Sequence, residues 1–143
     1  MRTLSYVNCR KTTAQVCDNL VLMCMDFRFH KQISDLISCA GYRDFDIIAL
    51  PGASKAVLSD VSRDVVLGAV KLVIGAHGVK RVIIVDHVDC RAYGGSEAFT
   101  DSSTEERTHQ EALQQAAAIL KDSFPDLEVV LVYADWDKLK QIP

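Results

Sequence analysis

The 143-residue sequence contains no run of about 18 consecutive apolar side chains, the length that a membrane-crossing helix requires. Its first ten residues, Met1 to Arg10, lack the apolar stretch of a secretory leader. No membrane partner is therefore expected, and the expected compartment is the cytoplasm. An excess of positive charge is also missing. The 16 Lys and Arg stand against 19 Asp and Glu, a formal net charge of −3, which argues against a nucleic-acid partner and for a small molecule. There is no Cys-x-x-Cys pair, which weakens a thioredoxin-like reading, and no Gly-x-x-x-x-Gly-Lys phosphate loop. Internal repeats and low-complexity segments are absent as well.

What is present suits one domain spanning 1–143, with 49% apolar residues to build a core and an N-terminal arm, 1–18, suited to contact with another subunit. Five cysteines, an odd number in a chain large enough to hold its core without staples, favour reduced thiols and metal ligation over a disulfide framework.

Leu20-Val21-Leu22-Met23-Cys24 reads as a strand buried on both faces. Ile33, Leu36, Ile37 and Ala40 predict a short helix from His30 to Ala40, closed by Gly41. Phe45 to Leu50 reads as a second strand, stopped by Pro51-Gly52. Residues 56–77, apolar around much of their girth, predict one buried helix ending at Gly78, and Val82-Ile83-Ile84-Val85-Asp86 a third strand. The Ser-x-x-Glu form of Ser103 to Glu106 is a capping box that starts a helix near 104, whose buried stripe is Leu113, Ala116, Ala117 and Leu120. Leu127 to Tyr133 supplies a fourth strand before a polar tail around Trp136. Strands alternating with helices predict an α/β fold, a small doubly wound and mainly parallel sheet of about four strands with helices on both faces. Ligands in such sheets gather at the C-terminal strand ends where the winding reverses, here between the first and third strands.

Those two strands lead into Cys24-Met25-Asp26-Phe27-Arg28 and His87-Val88-Asp89-Cys90. Cys24, His87 and Cys90 supply two thiolates and an imidazole, the donors Zn²⁺ prefers, and three protein ligands leave a fourth tetrahedral position for water. The thiolates neutralise the ion, so bound water acidifies less and a nearby base becomes useful. Asp26, two residues past Cys24, leaves an extended backbone on the same side as the sulfur and suits either the fourth ligand or that base. Arg28 continues the alternation and can hold Asp26 in a bidentate pair, deciding between a closed and an open metal.

These motifs resemble the β-class carbonic anhydrases, whose Cys-x-Asp-x-Arg and later His-x-x-Cys both occur here, in order and after strands; the likeness extends over roughly residues 20–95 and is to the short, divergent members. The resemblance implies Cys24, His87 and Cys90 as zinc ligands, Asp26 as exchangeable ligand or base, Arg28 as its restraint, and a homodimer or larger homo-oligomer. It also implies reversible hydration of carbon dioxide to bicarbonate by zinc-bound hydroxide. The same scaffold admits hydrolysis of carbonyl sulfide or carbon disulfide, or a zinc-binding regulatory domain without turnover. The chain departs from the family at Arg91 and Asp86, where glycines are usual, each expected to add charge at the metal's edge. Pro51-Gly52-Ala53-Ser54-Lys55 replaces an Asn-Ala-Gly-Asn-like loop.

Other candidates read as structural. Cys9, Cys17 and Cys39 have no ligating company, and His30 suits a surface or cap role at a helix start. His77 falls in a helix's last turn and His109 on the polar side of its helix, while Asp89 is solvated or holds its loop.

Overall fold

The computed structural model describes residues 15–42 and 44–143. Most of the N-terminal arm, Cys9 included, lies outside them. The elements are β1 (Asn19–Met23), α1 (His30–Cys39), β2 (Phe45–Ala49), α2 (Ser54–Leu58), α3 (Arg63–His77), β3 (Arg81–His87), α4 (Ser102–Ser123), β4 (Glu128–Ala134) and β5 (Leu139–Ile142). No helix among the described residues is long and apolar enough to cross a membrane.

The sheet order is β2-β1-β3-β4-β5, with the first four strands parallel. Strands that alternate their side chains between two faces must cover both. Leu20, Leu22, Val82, Ile84 and Leu131 accordingly meet Val57, Val66, Val70, Leu113 and Leu120 of α2, α3 and α4, while Val21, Met23, Ile83 and Val85 meet Ile33 and Ile37 of α1. The chain winds from β1 outward to β2, then returns past β1 to β3, so the reversal falls between β1 and β3. Their C-terminal ends lie side by side, Met23 opposite Val85.

A fifth strand occupies what reads in sequence as a polar tail. β5 pairs antiparallel with β4, Leu131 opposite Ile142, and buries only Ile142. Four residues with Lys140 and Gln141 at their centre carry little β signal, and the strand exists because β4 offers it an edge. Lys140 also binds Glu106 of α4 at 2.6 Å.

The single helix expected over 56–77 is two helices. Ser59 takes an extended conformation, and the Ser62 hydroxyl donates to the Ala56 carbonyl (2.7 Å) while Arg63 donates to those of Val57 (3.1 Å) and Leu58 (2.7 Å). Side chains that satisfy the last carbonyls of a turn end it. Nor is α3 buried all round. It buries Val66 and Val70 and leaves Val65 and Leu72 exposed, next to exposed Val61. α4 starts at Ser102, capped by Asp101 accepting from the Thr104 N–H (2.7 Å) rather than by Ser103.

Gly78 closes α3 at φ 74°, a left-handed residue with nothing within 4 Å of a would-be Cβ. Gly78→Ala meets conformational strain without a clash and is expected to lower stability by roughly 1–2 kcal/mol. Urea denaturation measures it; an unchanged midpoint would show that the turn relaxes freely.

Candidate metal centre

Cys24 follows the last residue of β1, His87 ends β3, and Cys90 closes the turn after it. All three are buried, and their donor atoms lie within 4.8 Å of one another. The two sulfurs stand 3.9 Å apart, and the described cysteines are free. His87 Nδ1–H donates to the Val88 carbonyl (2.8 Å), and the Phe29 ring stacks on the imidazole at 4.3 Å. That bond fixes the tautomer and leaves the lone pair on Nε2, as metal-bound histidines require. Nε2 is buried and has no hydrogen-bond partner. An orphaned imidazole nitrogen facing two sulfurs is a donor set that fits a borderline-soft divalent ion such as Zn²⁺.

The sulfur pair shares one proton. The hydrogen bond from Cys90 pulls the Cys24 thiol far below its usual range, and, against the cost of burial, His87 and the backbone N–H of Gly52 pull the same way. Cys90 is pushed far up, first by the Cys24 thiolate and then by burial. Burial lowers the basicity of His87, but the Cys24 sulfur and the Val88 carbonyl outweigh it, so the net shift is upward. A cation seated here would displace those protons.

The Gly52 N–H donates to Cys24 Sγ at 3.3 Å. Gly52 has φ 72°, and a Cβ there would stand 2.9 Å from that of Ala92, so only glycine lets the β2–α2 turn close over the sulfur. Ala53 follows at φ 41°, a strained conformation for a residue with a side chain. Its neighbour Ser54 is clamped from below. Asp86 Oδ1 accepts the Ser54 N–H (3.0 Å), and Oδ2 accepts both the Ser54 hydroxyl (2.6 Å) and His109 Nδ1–H (2.8 Å). Tyr93 shares a hydrogen bond with the same hydroxyl, tying in the turn after Cys90.

Asp26 and Arg28 meet, but not by strand alternation. The chain turns after Asp26, whose carbonyl accepts the Phe29 N–H, and the turn folds Arg28 back. Arg28 Nε lies 3.0 and 3.1 Å from the two oxygens of Asp26, and Nη2 lies 2.6 Å from Oδ2. The guanidinium holds the carboxyl down to about 2. Asp26 stands outside the three-residue cluster and faces Arg28. Both line a cleft of about 680 Å³ that opens over Cys24, with Pro51, Asp89, Arg91 and Ala92 among its other walls.

A family model described as "Putative carbonic anhydrase" matches residues 14–141. The chain belongs to that family. An uncharacterised protein of Rickettsia bellii is 30% identical over 124 residues, covering 82% of this chain and 76% of its own. Among solved structures, a tetrameric β-carbonic anhydrase of Sordaria macrospora matches with a TM-score of 0.65 at 15% identity, over 89% of this chain and 81% of its own. β-Carbonic anhydrase isoform I of Trichomonas vaginalis matches at 0.61 and 13%, over 98% and 87%. The fold is thus that of the β-carbonic anhydrases.

Two expectations for this carbonic anhydrase family member need correction. Asp86 does not charge the metal's edge: it neighbours His87 on β3 and so points to the opposite face of the sheet, where it is 1% exposed. His109 is not on a polar helix face but fully buried against Asp86. Arg91 does border the cleft, and its charge helps hold the Asp89 carboxyl low, after Arg28 and the Ser96 N–H. His30 starts α1 outside the ligand cluster, and His77 pairs with Asp46 at 2.7 Å. Cys17 donates to the Asn19 carbonyl, and Cys39 is exposed.

Glu105 escaped the sequence reading. It is 2% exposed, and accepts the Asp89 N–H (2.6 Å) and the Ser96 hydroxyl (2.9 Å). Its signal was in the spacing: counting back from Leu113 by fours reaches His109 and then Glu105 on one helix face.

Proposed function

We propose that this chain is a zinc-dependent carbonic anhydrase that interconverts carbon dioxide and bicarbonate, with Cys24, His87 and Cys90 as metal ligands and Asp26 and Arg28 as the groups that govern the open position. The observation that carries the reading is the buried, unpartnered Nε2 of His87 facing two sulfurs. When bound, zinc supplies the Lewis acidity that lets water lose a proton near neutral pH.

The remaining work falls to side chains. Arg28 occupies both oxygens of Asp26, which favours three protein ligands and a free fourth position. Because Asp26 stays ionised down to about pH 2, it accepts a hydrogen bond from water throughout the neutral range, and the inflection of a pH–rate profile there is not its own. The Gly52 N–H withdraws charge from Cys24, tempering the donation of a two-thiolate site. Met25, Phe27 and Ala92 give the cleft an apolar lip suited to a small uncharged gas. Exposed Val61, Val65 and Leu72 support a homo-oligomer, as does the tetrameric relative from Sordaria macrospora. Free thiols suit a reducing compartment such as the cytoplasm.

Metal analysis paired with stopped-flow hydration of carbon dioxide tests the reading. Zinc at one per chain and hydration above buffer are expected, with Asp26→Ala lowering the rate by about 10²- to 10⁴-fold. Full zinc occupancy without hydration would refute turnover while leaving the metal site intact.

A further inference from the structure

We propose that Asp89 is a positioning residue that keeps the fourth metal position open by gripping Arg28 on the edge that Asp26 does not occupy. The inference rests on the zinc reading above. A guanidinium presents its five N–H groups in one rigid plane, so holding two of its edges fixes its orientation. Arg28 is held in this way. Nε and Nη2 face Asp26, while Nη1 donates to Asp89 Oδ2 (2.9 Å) and Nη2 to the Asp89 carbonyl (3.1 Å).

Asp89 is itself immobilised. It sits at φ 57°, a left-handed conformation that Asp and Asn tolerate better than other side chains do. Its N–H is taken by buried Glu105 of α4 at 2.6 Å, and its Oδ1 accepts the Ser96 N–H at 3.0 Å. Glu105 also takes the Ser96 hydroxyl, so one buried carboxylate ties down both residues. The tether therefore runs from α4 through Asp89 to Arg28 and ends on Asp26.

The placement makes the grip consequential. Asp89 lies between the ligands His87 and Cys90, and Asp26 lies two residues after Cys24, so Arg28 is the bridge between the two halves of the site. A carboxylate is an ordinary zinc ligand, and Asp26 released from Arg28 would be free to take the fourth position. Arg28 is about one-third exposed, and the Asp26 bonds alone leave it free to swing out with its partner. Asp89 removes that freedom.

Cobalt(II)-loaded protein titrated with thiocyanate and followed by its visible spectrum reports access to the fourth position without any assay of turnover. The wild type is expected to bind the anion. Asp89→Asn keeps the shape and tolerates the positive φ, and is expected to weaken anion binding by about 10- to 100-fold through loss of a charge-assisted bond. Arg28→Lys, which keeps the charge but not the second edge, should weaken it similarly. Adding Asp26→Ala to Asp89→Asn should restore binding, which repair of a merely structural defect would not do. Wild-type anion affinity in Asp89→Asn, or no restoration in the double variant, overturns the proposal. So does a wild type that takes cobalt but no anion. A wild type that takes up no cobalt overturns the zinc reading instead, and this inference with it.

Discussion

Cys90→Ser is expected to lower zinc affinity by more than about 100-fold, beyond the effect usual for residues that only support a ligand. Serine is close to cysteine in shape, and Cys90 is 1% exposed in a turn held by backbone hydrogen bonds to its carbonyl from Tyr93 and Gly95. The fold should therefore survive. What is lost is an ionisable sulfur: a hydroxyl does not ionise at neutral pH, leaving one thiolate and one imidazole to balance a divalent charge. The metal-free pair tells the same story from the other side. Cys24 is held as a thiolate by the Cys90 S–H, and that proton must leave when a cation arrives. Zinc uptake by the wild type should accordingly release protons, and uptake by the serine variant should release fewer. Competition against a chromophoric chelator measures the affinity, and weakly buffered titration counts the protons. A serine variant with wild-type zinc affinity would remove Cys90 from the ligand set.

Asp86→Ala is expected to cost about 3–5 kcal/mol of stability, because it orphans three buried donors at once, each worth about 1–3 kcal/mol when left unsatisfied. Those donors are the Ser54 N–H, the Ser54 hydroxyl and His109 Nδ1–H, in a region where Asp86, Ser54 and His109 are all almost wholly buried. For a chain of this length the loss corresponds to a fall in melting temperature of roughly 10 °C. The Ser54 hydroxyl can turn wholly to Tyr93, so the larger part of the cost falls on the Ser54 N–H and the histidine. A second effect should follow at the metal. The strained Ala53 turn that brings Gly52 onto Cys24 is braced by Asp86, and its relaxation should weaken zinc binding by about 10- to 100-fold. Thermal unfolding of the metal-free protein separates the first effect from the second. An Asp86→Ala protein as stable as the wild type would mean that water replaces the carboxylate at no cost.

Both predictions draw on residues whose legibility differed. Cys90 declared itself in sequence, because His-x-x-Cys after a β-branched run has few other uses. Asp86 did not. Its position beside a ligand suggested charge at the metal, and only strand alternation, applied to a sheet already known to be covered on that face, sends it to the other side. Glu105 and His109 were hidden by their polarity, since a buried stripe is sought among apolar residues. The break at Ser59 to Ser62 was masked by valines on both sides of it. The exposed Val61, Val65 and Leu72 counted toward a buried helix for the same reason.

The sequence by itself determined the four parallel strands, the point where the winding reverses and the three residues, Cys24, His87 and Cys90, that cluster as a candidate metal site, because apolar period, helix stops and donor chemistry are local properties of the chain. Tertiary structure alone decided β5, whose residues pair only because β4 has a free edge. It also decided the orientation of Arg28 between Asp26 and Asp89 and the bracing of the site by Asp86 and Glu105. Those depend on groups 16 to 61 residues apart in the chain meeting at one end of a sheet, with partners at Asp89, Glu105, Ser54 and His109 that no local pattern specifies.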